Sequence, residues 1–197
     1  MSGNQGSKEK LIQVAVELFA NRGFAGTSIR DIASAMGMSI SNIYHYFGNK
    51  EGLLLAILEY ASDALLRRLR EGSEKEEEPV RKLKSLVQTH LKLSREFLRE
   101  SKIFFLDEDH LSQEGHRINC KIQREILDMY VQVLSDLAQE GLVQTRSIKI
   151  LAFNILGVIN WHLKWFRTEG ELSHEQAVEE ILDFILHGAL GLGQRER

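Results

Sequence analysis

The stretch MGMSISNIYHYFGNKEGLL, residues 36–54, decides how this chain is read. It opens on small and polar residues, gathers Ile43, Tyr44, His45, Tyr46 and Phe47 into one cluster, then passes Gly48 into a polar NKEG and two leucines. A helix buried on every side would not hold Asn42, Tyr44, His45 and Tyr46 so close together. A helix solvated on every side would not hold Ile43 and Phe47 with two tyrosines. Ser39 is a good N-cap, with Met38 and Ile43 at the two staple positions around it. The spacing predicts a short helix from about Ile40 to Phe47, with Ile43 and Phe47 turned inward. Gly48 ends it, and Asn49 caps the next helix.

Upstream, Leu11, Ala15, Leu18 and Phe19 recur at helical spacing and predict a first helix from Ser7 to Arg22, ended by Gly23. Thr27 or Ser28 caps a second helix whose inner face is Ile29, Ile32, Ala33 and Met36. Gly37 suits the left-handed position after a helix C-terminus. Two short helices joined by a tight glycine turn make a helix-turn-helix. Ala33 is small enough to let them cross closely, and Ile32, Met36 and Ile43 pin their angle. Ser39, Ser41, Asn42, Tyr44, His45 and Tyr46 are left near the outer face. Their side chains suit base edges and phosphates, and a helix of that width fits a major groove. The two tyrosines serve equally as packing and as hydroxyls for phosphate. Lys50 falls in the first turn of the fourth helix, where the helix dipole disfavours a cation. A phosphate docked there reverses that sign. Thr27 and Ser28 offer a second phosphate site by the same logic.

The remaining chain also reads as helix. The fourth helix runs to about Arg70 on a stripe of Leu54, Ile57, Leu58, Ala61 and Leu65, and EGSEKEEEP (71–79) breaks it. Further helices are expected near 79–99, 101–107, 112–140, 147–167 and 173–192. With one proline and no sustained alternation, the fold class is all-α. The 197 residues are 43% hydrophobic and 27% charged, an ordinary globular balance. Net charge is −3, but residues 1–50 hold five cations against three anions, a basic head on an acidic remainder. A single cysteine, Cys120, allows no internal disulfide. Together with an N-terminus lacking an apolar run, it points to a cytoplasmic protein. The apolar run 150–166 carries Asn154, Asn160, His162 and Lys164, and so reads as a buried helix, not a membrane span. His90, His110, His116, His162 and His174 are scattered, without HExxH, CxxC or a nucleophile elbow. No catalytic residue, metal site or cofactor is therefore expected. A helical interaction module without DNA binding is the competing class.

AVELFANRGFAGTSIRDIASAMGMSISNIYHYFGNKEGLL (15–54) resembles the DNA-binding region of the tetracycline-repressor (TetR/AcrR) family of bacterial regulators. The matching elements are A..LF...G, TS.R.IA...G.S...IY.YF and NKE.LL. The resemblance implies about nine helices: a helix-turn-helix DNA-binding domain over 1–52 and a ligand-binding, dimerising domain over 53–197. By position in the motif it assigns contacts to Ser28 and Arg30 from the second helix. Recognition-helix positions fall to Ile40, Ser41, Asn42, Tyr44, His45 and Tyr46, and a phosphate contact to Lys50. INWHLKWFRTEGELSHEQAVEEI (159–181) is similar to the end of the body in members that sense fatty acyl-coenzyme A or related thioesters.

A head carrying so little positive charge binds weakly as a monomer, since phosphate contacts dominate affinity. A homodimer on a near-palindromic double-stranded operator doubles those contacts. The last two helices look apolar on two faces, as a symmetric four-helix bundle requires. The expected interface is Leu156 and Leu163 with Val178, Ile181, Leu182, Ile185, Leu186 and Ala189. A small-molecule effector, largely apolar, is expected in the body. Asn154, Asn160, His162 and Lys164 would orient it, and Phe104, Phe105, Tyr130, Trp161 and Trp165 would wall it, unless those aromatics simply pack the core. Arg117, with Lys121 and Arg124, would meet coenzyme phosphates, or is simply a solvated helix face. An acyl thioester or fatty acid is the favoured effector class and an aromatic, drug-like compound the alternative. Repression is the expected sign.

Overall fold

The computed structural model describes residues 2–96, 111–166 and 171–191. All regular structure among them is helical: α1 (Ser2–Arg22), α2 (Ile29–Met36), α3 (Ile40–Phe47), α4 (Lys50–Glu74), α5 (Pro79–Glu96), α6 (Gln113–Gln139), α7 (Ile148–Trp165) and α8 (His174–Asp183). A π-helical turn, Phe184–Ala189, prolongs α8. The expected helix at 101–107 lies outside the described residues. The chain forms two compact units, Met1–Asp63 with Phe97–Ile122, and Ala64–Glu96 with Gln123–Arg197.

The first unit is built around Leu11, Ile12, Ala15, Val16 and Phe19 of α1. Ile29, Ile32 and Ala33 of α2, Ile43 and Phe47 of α3, and Leu53, Leu54 and Ile57 of α4 close over them, with Leu111. The inward stripe of α1 is wider than the sequence suggested, and Leu18 sits at its half-buried edge. Ile43 and Phe47 are the two buried residues of α3, as its spacing required.

The second unit buries Leu83, Leu86, Val87 and Leu91 of α5 against Leu127, Tyr130, Val133, Leu134 and Leu137 of α6. Ala152, Ile155 and Ile159 of α7 join them, and α5 packs against both α7 and α8. α4 continues past Arg70 to Glu74, because its last turn is held by packing and not by its own propensity. Gly72 lies so near α5 that a Cβ there would stand 2.9 Å from Ser85 Oγ. The break shrinks to 75–78, and Pro79 opens α5 at the position where its missing N–H is no loss.

The last helix departs from its sequence reading. Leu182, Ile185 and Leu186, expected on a dimer surface, lie in the core of their own protomer. α5 is the helix that packs against α8 there. The π turn then carries Ala189 off the buried stripe and into solvent.

Candidate nucleic-acid interface

Local hydrogen bonding fixes the helix-turn-helix. Ser28 caps α2 in a complete capping box. Its hydroxyl accepts the Asp31 N–H at 3.1 Å, and the Asp31 carboxylate accepts the Ser28 N–H at 2.7 Å. The Ser28 hydroxyl also donates to Asp31 at 2.5 Å. That bond, then the Ser28 N–H, then Arg22 and Arg30, hold the Asp31 carboxyl below the usual carboxylate range. At the far end Gly37 takes φ 63°, and Met38 N–H reaches back to Ala33 O at 3.0 Å. This is the Schellman closure, and it turns the chain straight into Ser39. The Ser39 hydroxyl accepts the Asn42 N–H at 3.3 Å and starts α3.

With Ile43 and Phe47 inward, α3 shows Ile40, Ser41, Asn42, Tyr44 and His45 to solvent, and Ser39, Arg30 and Ser28 are exposed beside them. Tyr46 is half-buried, its ring 6.1 Å from that of Phe47. Thr27 is a correction. It is 1% exposed, and its hydroxyl donates to Gly23 O at 3.0 Å and Leu18 O at 3.3 Å. It locks the end of α1, and the outward hydroxyl belongs to Ser28. Asn49 Oδ1 accepts the Gly52 N–H at 2.7 Å and caps α4. Lys50 donates to Phe24 O, and its ammonium lies 4.0 Å from the centre of the Phe24 ring. The carbonyl and the ring's negative face answer the unfavourable helix dipole. The first turns of α2 and α4 each carry N–H groups that have no partner within the helix. Hydroxyls, amides and an imidazole on one exposed helix, with such termini from the same unit, suit an anionic duplex.

The expected effector residues differ in how deeply they are buried. Phe104 and Phe105 lie outside the described residues. Tyr130 is fully buried, its hydroxyl 3.1 Å from His90 Nδ1. Sequence reading missed His90, although it falls on the α5 stripe with Leu83, Leu86 and Val87. Burial pulls the His90 imidazole down to about 4 and pushes the Tyr130 phenol up. Asn154 is exposed and Asn160 half-buried. Trp161 and Trp165 stand outside at 65% and 53% exposure, their rings 5.5 Å apart. Arg117 is exposed and paired with Glu114 at 3.1 Å. An open cleft of about 400 Å³ does lie in the second unit, lined by Arg70, Ser73, Glu74, Glu125, Asp128, Met129, Gln132 and Val133. None of these was expected. Among the described residues no group of three or more metal-ligating side chains converges, and no helix is long and apolar enough to cross a membrane.

The other residues expected at the dimer surface differ in exposure from the large apolar side chains around them. Leu156, Leu163, Val178 and Ile181 are half-buried against the core. Among the described residues of the second unit, the large apolar side chains left exposed include Ile150, Phe153, Trp161 and Trp165 on α7, Leu172 before α8 and Phe184 beyond it.

Residues 11–57 match the family model described as bacterial regulatory proteins, tetR family. Residues 76–189 match that of the tetracyclin repressor-like C-terminal domain. The chain is similar to the HTH-type transcriptional repressor KstR2 of Rhodococcus jostii, 27% identical over 95% of this chain and 93% of that one. Among solved structures it is similar to AibR in complex with isovaleryl coenzyme A and operator DNA. The TM-score there is 0.81 at 27% identity, over 90% of this chain and 97% of that one. The fold is shared with KstR2 of Mycobacterium tuberculosis, TM-score 0.78 at 24% identity, over 92% and 93% of the two chains.

Proposed function

The chain belongs to the tetR family of bacterial regulatory proteins, and from that premise we propose that it is a dimeric, effector-released transcriptional repressor. It reads a near-palindromic operator with α3, over a DNA-binding domain of residues 1–52 and an effector-binding, dimerising domain of 53–197. The observation that carries this reading is the exposed polar face of α3, clamped from beneath by Ile43 and Phe47. Ser28 and Arg30 at the start of α2, and Lys50 at the start of α4, supply phosphate contacts that set its register. Thr27 is left out of that set, since its hydroxyl is used inside the unit.

Dimerisation brings two such helices into successive major grooves. Phe153, Trp161, Trp165 and Phe184 support it, because a protomer alone leaves these large apolar side chains in water. The likeness to AibR, whose structure holds isovaleryl coenzyme A and operator DNA, supports an acyl thioester as effector. The effector shifts the spacing of the two recognition helices, and a tenfold release of DNA needs about 1.4 kcal/mol of differential binding.

The test starts from duplexes that the wild-type protein selects out of a random library at low salt. Tyr44→Ala with Lys50→Ala should abolish retention while the protein stays a folded dimer. Isovaleryl coenzyme A should release the wild type. A wild-type dimer that selects no duplex overturns the reading, and release by an aromatic compound instead reassigns the effector class.

A further inference from the structure

Glu51, the second residue of α4, does something its position in the sequence does not announce. Its Oε1 accepts the backbone N–H of Ser112 at 2.7 Å, 61 residues further on. Ser112 is the N-cap of α6, since its hydroxyl accepts the Gly115 N–H at 3.1 Å. In a capping box the acid that answers the N-cap N–H comes from the third residue of the same helix. In α6 that residue is Gly115, which has no side chain. Glu51 fills the vacant place: a Cβ on Gly115 would stand 2.4 Å from Glu51 Oε1. Leu111, the residue before the cap, is buried in the core of the first unit. The same turn of α4 also bears on the recognition helix. A Cβ on Gly52 would lie 2.0 Å from the carbonyl oxygen of Phe47, the last residue of α3.

We propose that Glu51 is a positioning residue for operator binding. By completing the cap of α6 from α4, it makes residues 111–115 part of the DNA-binding unit and fixes the turn on which α3 and Lys50 rest. The proposal depends on the DNA-binding reading above. It adds that the DNA-contacting surface is braced by a segment from the middle of the chain.

Full-length variants separate capping from tethering. Glu51→Ala should speed amide exchange across 111–116 and weaken binding of a wild-type-selected duplex about tenfold, the scale of a lost cap. Glu51→Gln keeps a carbonyl acceptor and should restore both. Glu51→Ala with Gly115→Glu supplies the missing acid within α6 itself. Amide protection should then return while duplex affinity stays low. If the double variant recovers affinity as well, or Glu51→Ala binds like the wild type, the proposal is overturned. A wild type that selects no duplex instead fails the earlier reading, which the unchanged exchange comparison tells apart.

Discussion

His90 shows most plainly what a single residue costs this protein. It is 5% exposed in the core of the second unit, within 3.1 Å of the Tyr130 hydroxyl, and its imidazole is pulled from 6.5 to about 4. The unfolded chain takes up a proton near pH 6.5, and the folded chain does not until about 4. Between those values the unfolded state binds more protons, so stability falls as pH falls. Denaturant titrations should show a slope approaching one proton, about 1.4 kcal/mol per pH unit, across that window. His90→Leu with Tyr130→Phe should reduce it. His162 is depressed in the same direction, by burial first and His174 second, so some slope should remain. Asp31 acts below this window: its lowered carboxyl favours the folded state until pH falls through its folded value. The stripe through Leu83, Leu86 and Val87 shows that His90 faces inward. Its neighbour there, Tyr130, comes from another helix, and nothing local in the sequence pairs them.

At the scale of elements, the stretch from Ser28 to Gly52 was legible almost residue by residue. The capping box, the left-handed Gly37, the Ser39 cap and the Asn49 cap each span four or five residues, so each writes a local pattern. Gly37→Ala should cost about 1 kcal/mol in denaturant stability, the penalty of a Cβ in the left-handed region. Because Gly37 also sets the angle between α2 and α3, duplex affinity should fall in the same variant. Elements held by tertiary contact were less legible. The end of α4 rests on the close approach of Gly72 to α5, and the turn Phe184–Ala189 widens to π-helix where an unbroken α-helix was expected.

At the scale of the molecule, two sets of apolar residues in the last helices part company. Leu182, Ile185 and Leu186 hold the protomer together, and Phe153, Trp161, Trp165 and Phe184 remain outside. Ile185→Ala should therefore destabilise the protomer by about 2–5 kcal/mol, measured by chemical denaturation. Trp161→Arg with Phe184→Arg should leave that stability in place and shift sedimentation from dimer to monomer. A double arginine variant that still sediments as a dimer would place the interface elsewhere.

The sequence by itself determined the helical class, the helix-turn-helix and the outward face of α3, because caps, staples and glycine turns act within a few residues. Tertiary structure alone decided that Thr27 turns inward while Ser28 stays out, that Tyr130 meets His90, and that Glu51 caps a helix begun 61 residues later. It also decided which apolar residues of α7 and α8 face the core. Burial depends on which helices arrive from elsewhere in the chain, and an apolar residue looks the same in sequence whether its neighbour or a partner subunit covers it.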